Sequence, residues 1–255
     1  MNAIKYRHEQ KIEISYGDLL ALRSRLQAVM KPDSHAKDGR YIIRSLYFDD
    51  DKNKALREKL DGVNKREKFR LRCYNGDMDF IRLEKKSKIN GLCNKQSVRL
   101  TTAQVEALLA GKAPVVATGT READLGKAPN ATDGEGTVPS AQATDTGLTA
   151  PLTREFISKM RSQGLKPKTL VEYTREAYVF APGNVRVTLD YNLRTGLDGT
   201  DFLNPDCVMV PARDAPAILE VKWDEYLPDI IRDLVQLSGR HAAAFSKYAA
   251  CRIYG

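Results

Sequence analysis

The chain has 255 residues, 42% hydrophobic and 29% charged, with 41 Lys+Arg against 33 Asp+Glu and a formal net charge of +8. That composition is ordinary for a globular protein long enough to bury a large core, and it excludes a collagen-like, coiled-coil or wholly disordered chain. No apolar run approaches the roughly 20 residues that span a bilayer, no apolar signal core opens the chain, and Cys73, Cys93, Cys207 and Cys251 lie far apart without a CxxC pair, which points to reduced thiols in a cytoplasmic protein.

Residues 5–14 (KYRHEQKIEI) read as a strand. Leu19, Leu22, Leu26 and Val29 then recur at helical spacing in GDLLALRSRLQAVM, which stops before Pro32. YIIRSLYFDD (41–50) reads as a strand, and a short helix is expected over 52–60, with Asp51 as its cap and Gly62 just beyond it. KFRLRCYNGDMDFIRLEKKS contains two alternating runs joined by Asn75-Gly76, the strongest short hairpin signal. Gln96–Leu100 suggests another strand and residues 102–110 a helix. Of the 41 residues in 111–151, 26 are Ala, Gly, Thr, Pro or Ser and none is aromatic, so this stretch reads as a disordered loop insertion. A helix follows over Thr153–Gln163, stopped by Gly164. Residues 169–180 and 184–193 read as strands around the Pro182-Gly183 turn, and 217–223 as another. DIIRDLVQL and HAAAFSKYAAC read as closing helices, the first entered after Pro228. With no GxGxxG, no GxxxxGK[ST] and no strict βαβ alternation, the order argues for an antiparallel sheet or barrel decorated with helices.

The positive charge is uneven. Residues 1–100 hold 24 basic and 14 acidic residues, and 52–99 hold 15 and 6. Alternate residues of a strand share a face, so Arg70 and Arg72 oppose Phe69, Leu71 and Cys73, and Arg82, Glu84 and Lys86 oppose Ile81 and Leu83. Arg186, Thr188 and Asp190 oppose Val185, Val187 and Leu189; Glu220 and Lys222 oppose Leu219 and Val221; Glu9, Lys11 and Glu13 oppose Ile12 and Ile14. One reading is a sheet with its charged face in water. The other is a barrel with an apolar outer face under helices and an interior of Arg and Lys filled by a polyanion. Recurrent i,i+2 arginines favour the second, because the guanidinium fork suits bidentate phosphate contacts. A few inward carboxylates would then hold the divalent metal that accompanies phosphates.

The stretches YRHEQKIEI, IRSLYFDD, KFRLRCYNGD, FIRLEKKSKINGLCNKQSVRL, VEYTREAYVF, NVRVTLD, ILEVKWDEYLPDIIRDLV and AFSKYAACR together resemble the bacterial polyphosphate-polymerase, or vacuolar transporter chaperone (VTC), domains of the triphosphate tunnel metalloenzyme superfamily. The resemblance implies an α+β fold: an eight-stranded antiparallel β-barrel tunnel with helices packed outside and a closing C-terminal helix. It implies one domain over residues 1–255, interrupted by 111–151. It implies transfer of the γ-phosphate of ATP onto phosphate or polyphosphate, with Mn²⁺ or Mg²⁺. Matching positions make Arg70, Arg72, Lys86, Arg175 and Arg186 the catalytic tunnel cations, Lys11, Lys59, Arg99, Ser246 and Lys247 phosphate-binding residues, and Glu220 the metal ligand. Lys59 stands where an Arg is expected, Arg99 where a Lys is expected, and Ala244 where a further basic residue is expected. Val171 and Tyr173 share the nominal face of Arg175, which a bulge would reconcile. Asp49, Asp50 and Asp51 read as a strand end and helix cap ahead of a metal cluster.

Two alternatives stay open: a metal-dependent triphosphatase and a non-catalytic polyphosphate-binding module. The first strand reads Glu9-Gln10-Lys11-Ile12-Glu13, not the ExExK pattern of related hydrolases. No RNP, zinc-finger or helix-turn-helix signature supports a nucleic-acid partner. The resemblance is compatible with a separate membrane-protein partner.

Overall fold

The computed structural model describes residues 7–36, 38–90, 92–111, 146–212 and 216–252. Its elements are β1 (His8–Ile14), α1 (Tyr16–Val29), β2 (Lys31–Pro32), β3 (Arg40–Asp49), α2 (Lys54–Leu60), β4 (Lys65–Tyr74), β5 (Asp77–Ile89), β6 (Leu92–Leu100), α3 (Thr102–Leu109), α4 (Thr146–Thr149), α5 (Pro151–Gln163), β7 (Lys166–Phe180), β8 (Val185–Thr195), β9 (Val210–Pro211), β10 (Ala217–Trp223), α6 (Asp229–Val235) and α7 (Lys247–Arg252). The start of the expected first strand and residues 112–145 of the expected insertion lie outside the described residues. The last part of that insertion is helical, because Leu148 and Leu152 bury themselves against the sheet.

Eight long strands pair antiparallel in the order β1-β10-β8-β7-β3-β4-β5-β6, with β2 added to β7 and β9 to β8. The Asn75-Gly76 turn joins β4 to β5 with both residues at positive φ (52° and 72°), as a two-residue hairpin requires. Gly183, at φ 71°, makes the turn between β7 and β8, where a Cβ would collide with the Tyr226 carbonyl. The sheet curls strongly: β1 and β5 stand far apart in strand order, yet Lys86 of β5 reaches Glu9 of β1 at 3.2 Å. The other edge of β1 carries residues 242–243, through an antiparallel bridge of Ile12 with Ala242 and a 2.8 Å hydrogen bond from Ala243 N to the Lys11 carbonyl.

Two apolar clusters lie on the convex side. Leu19, Leu22 and Leu26 of α1 and Ile231 of α6 pack on Ile12, Val187, Leu189, Leu219 and Val221. Phe156 of α5, Val105 of α3 and Phe202 pack on Phe69, Leu71, Ile81 and Leu83. Full burial of such side chains is worth about 1.5–3 kcal/mol each, which holds the curled sheet against its helices. The third cluster lies on the concave side: Tyr248 and Cys251 of α7 pack on Tyr41, Ile43 and Tyr47 of β3 and on Val171 and Tyr173 of β7. The expected apolar-out, charged-in division therefore holds for β1, β4, β5, β8 and β10. The inner faces of β3 and β7 differ: apart from Arg175 of β7 and Ser45 of β3 they are largely aromatic and aliphatic, because the closing helix sits on them.

Candidate functional site: a charged concave interior

The hydrogen-bonded registers determine which charges meet. In β4 and β5, Arg70 lies opposite Glu84. Its Nε and Nη2 approach Glu84 Oε2 at 2.7 and 2.6 Å, and its Nη1 donates to the Tyr47 hydroxyl at 2.8 Å. Arg72, only 3% exposed, stands 3.6 Å from the same carboxylate and donates to Ser45 Oγ at 3.3 Å. Lys95 of β6 closes on Glu84 Oε1 at 2.8 Å. Burial opposes the charge of Glu84, but Arg72, Arg70 and Lys95 outweigh it and hold the carboxyl well below the usual range.

A second group joins β1, β10 and β5. Lys11 lies opposite Glu220 and Glu9 opposite Lys222. Lys222 Nζ is 2.6 Å from Glu220, and Lys11 Nζ is 3.1 Å from Glu9 and 3.5 Å from Glu220. Burial opposes ionisation of Glu220, yet Lys222, Lys11, Arg175 and Lys86 keep it well below the ordinary carboxylate range. Burial and the Glu220 charge push Glu9 up, while Lys86, Lys11 and Lys222 bring it down to about 2.

A third group joins β7, β8 and α7. Arg175 grips Asp190 through Nε and Nη2 at 2.6 and 2.8 Å, and Lys247 Nζ reaches the same carboxylate at 2.7 Å. Lys247 also lies 4.6 Å from the centre of the Tyr173 ring. The register of β7 against β8 shifts between Glu172 and Thr174. Arg175 nonetheless shares its face with Val171 and Tyr173, which are inward residues covered by α7.

The structure thus brings Arg70, Arg72, Lys86, Arg175, Lys11, Lys247 and Glu220 to one concave face. Arg186 stands on it beside Asp33 (2.7 Å) and the Tyr41 hydroxyl (2.8 Å). Lys59 enters from α2, not from a strand, and its ammonium donates to the Ala244 carbonyl at 2.7 Å. Burial and the charges of Arg66, Lys11 and Lys88 lower its pKa. Ser246 acts as a helix cap, its hydroxyl accepting from Ala249 N at 3.4 Å. Arg99 is exposed, bonds the Asp79 carbonyl at 3.1 Å and stacks on Phe80 with Arg82, away from the buried ion pairs. Asp51 is exposed and paired with Lys166, so it caps nothing. Asp49 takes the backbone N–H groups of Ala55 and Leu56, and Asp50 those of Lys52 and Lys54.

Several inward residues escape sequence reasoning: Tyr47, Tyr173 and Lys68, and the partnering roles of Glu9, Glu84 and Asp190. The i,i+2 rule places Lys68 on the face of Arg70, but nothing in the sequence shows which carboxylate each cation takes. Thr188 belongs here too. It pairs with Glu220 across β8 and β10, is 3% exposed, and its hydroxyl oxygen has no hydrogen-bond partner. A divalent cation fits this corner: Glu220, Glu9 and the orphaned Thr188 hydroxyl are hard oxygen donors. Among the described residues no group of three or more His, Cys, Asp or Glu is gathered. Such an ion would therefore take much of its shell from phosphate and water, as Mg²⁺ commonly does. No helix among the described residues is long and apolar enough to cross a membrane.

The family model described as the VTC domain matches residues 6–253. No curated protein matches the chain. Among solved structures, a proposed adenylyl cyclase of Hippeastrum described as having a dominant triphosphatase activity is 12% identical, covering 90% of this chain and 84% of its own, with a TM-score of 0.48. A protein of Pyrococcus horikoshii OT3 is 11% identical, covering 96% and 99%, with a TM-score of 0.46. A proposed adenylate cyclase of Bacillus halodurans is 13% identical, covering 86% and 80%, with a TM-score of 0.42.

Proposed function

The chain belongs to the VTC domain family, and from that premise we propose that it is a phosphotransferase moving the γ-phosphate of ATP onto phosphate or a growing polyphosphate chain inside its concave interior. The observation that carries this reading is the concentration of inward-pointing Arg and Lys, buried at Arg72 and Arg175 and half-buried at Arg70, Lys11 and Lys86, on the concave face of several strands, closed by Lys247 of α7. A linear phosphate chain suits that row of forked and point-charge donors.

In this reading Arg70, Arg72 and Arg175 hold the triphosphate through forked donors, and Lys86, Lys11 and Lys247 add point charges. Entry of the polyanion exchanges their bonds to Glu84, Glu9, Glu220 and Asp190 for bonds to phosphate. The fixed guanidinium groups then face the equatorial oxygens of the transferring phosphoryl group, where charge is spread in the transition state. The acceptor phosphate is already anionic, so the site needs no dedicated base. Glu220 and Glu9, with the Thr188 hydroxyl, would hold Mn²⁺ or Mg²⁺, which when bound supplies charge neutralisation at the phosphate oxygens.

The test is incubation of the purified protein with ATP and Mn²⁺ or Mg²⁺, with the products resolved by length. Long polyphosphate with ADP is the expected result. Orthophosphate as the only phosphate product would instead make the chain a triphosphatase. Unchanged ATP with tight polyphosphate binding would make it a binding module.

A further inference from the structure

The interior cations described so far each have a partner. Arg70 and Arg72 share Glu84, Lys86 has Glu9, Lys11 and Lys222 share Glu9 and Glu220, and Arg175 and Lys247 share Asp190. Lys68 differs. It stands two residues before Arg70 on the inward face of β4, lies opposite Lys86, and has no carboxylate partner among the described residues. Its Nζ lies 5.4 Å from the centre of the Tyr47 ring, whose hydroxyl accepts from Arg70. The groups that act most strongly on it are Tyr47 from β3, Lys86 from β5, Arg70 on its own strand and Lys11 from β1; Asp49 and Asp50 at the end of β3, Lys54 and Glu58 of α2 and Glu67 line the same pocket as Lys68 without forming an ion pair with it.

A lysine beside three cations with no carboxylate counter-ion is unfavourable in the free protein. The same arrangement becomes favourable when a polyanion lies against it. We propose that Lys68 is an additional phosphate-binding residue of this interior, taking one phosphate of a linear triphosphate or polyphosphate jointly with Arg70, with the Tyr47 ring as the wall behind it. This deepens the reading above and rests on it.

Proton linkage gives the assignment a readout that a merely structural lysine would lack. Burial, helped by Lys86, Arg70 and Lys11, lowers the Lys68 ammonium to about 7. Burial pushes the Tyr47 hydroxyl up, but Arg70, Lys68 and Arg72 outweigh it and bring it down to about 7. A bound phosphate favours the protonated form of both groups, so binding above neutrality takes up protons.

The experiment is titration calorimetry of the full chain with inorganic tripolyphosphate, without metal, at about pH 8, in two buffers of different ionisation enthalpy. Wild type is expected to bind with proton uptake. Lys68→Met is expected to bind at least about tenfold more weakly with a smaller uptake. Lys68→Arg, whose charge is permanent, is expected to restore affinity without restoring the Lys68 share of the uptake. Unchanged affinity in Lys68→Met, while Arg70→Ala binds poorly, would overturn the assignment of Lys68 and leave the phosphate-binding interior standing. Absence of binding by wild type would overturn both.

Discussion

Asp190 is 1% exposed and takes two bonds from Arg175 and one from Lys247. Burial opposes its charge, but Arg175 and Lys247 outweigh this and hold its carboxyl below the usual range. A carboxylate depressed in the folded state adds stability that is fully present above its unfolded pKa, about 4, and is lost as pH falls through the folded one. Urea-measured stability is therefore expected to hold between pH 7 and 5 and to fall below about pH 4. Asp190→Asn should lower stability at pH 7 by about 3–5 kcal/mol, since it leaves two buried cations uncompensated, and should make the fall below pH 4 shallower. Thr188 gives the complementary case. Its buried hydroxyl is unpaired, so Thr188→Val should leave stability within about 1 kcal/mol of wild type while weakening metal-dependent triphosphate binding, measured with and without Mg²⁺. Period-two alternation put Arg70, Arg72, Lys86 and Glu220 on the charged faces of their strands, which the structure turns inward. It could not find the orphaned hydroxyl or the unpartnered Lys68, because a missing partner is a property of what lies across the interior.

At the scale of elements, β1, β4, β5, β8 and β10 were legible because one face of each is largely apolar, and the hairpin because Asn75-Gly76 marks its turn, while the end of the chain was not legible. HAAAFSKYAAC has the composition of a helix, but the helix is only Lys247–Arg252. Residues 242–243 instead pair with the edge of β1, where backbone hydrogen bonds are on offer. The inward aromatic face of β3 and β7 was unreadable for a related reason: Tyr47, Tyr173 and Val171 are inside because Tyr248 and Cys251 cover them. Tyr248 is also the latch of α7, stacked on Tyr47 at 4.9 Å between ring centres and donating its hydroxyl to Asp49 at 2.8 Å. Tyr248→Phe keeps the ring and removes that bond. It should lower stability in urea by about 1–3 kcal/mol, because the loss falls on a buried carboxylate.

At the scale of the molecule, the net charge of +8 divides between a basic first hundred residues and a slightly acidic remainder. The curl turns much of that basic charge inward, where β1, β4, β5, β8 and β10 present it to one space. Such an interior gains more from a bound polyanion than an exposed patch does, since its charges are poorly screened by solvent. Tripolyphosphate at 100 times its dissociation constant is expected to stabilise the fold by about 2.7 kcal/mol, a rise in melting temperature of about 5–10 °C by thermal shift. Crystals grown with tripolyphosphate and Mn²⁺ decide whether the concave interior is the phosphate site. A phosphate chain is expected on the concave face, between Arg70 and Arg72 of β4 and Lys247 of α7, with the anomalous signal of the metal beside Glu220. A phosphate chain bound only on the convex surface, with that interior still closed by its own ion pairs, would contradict it.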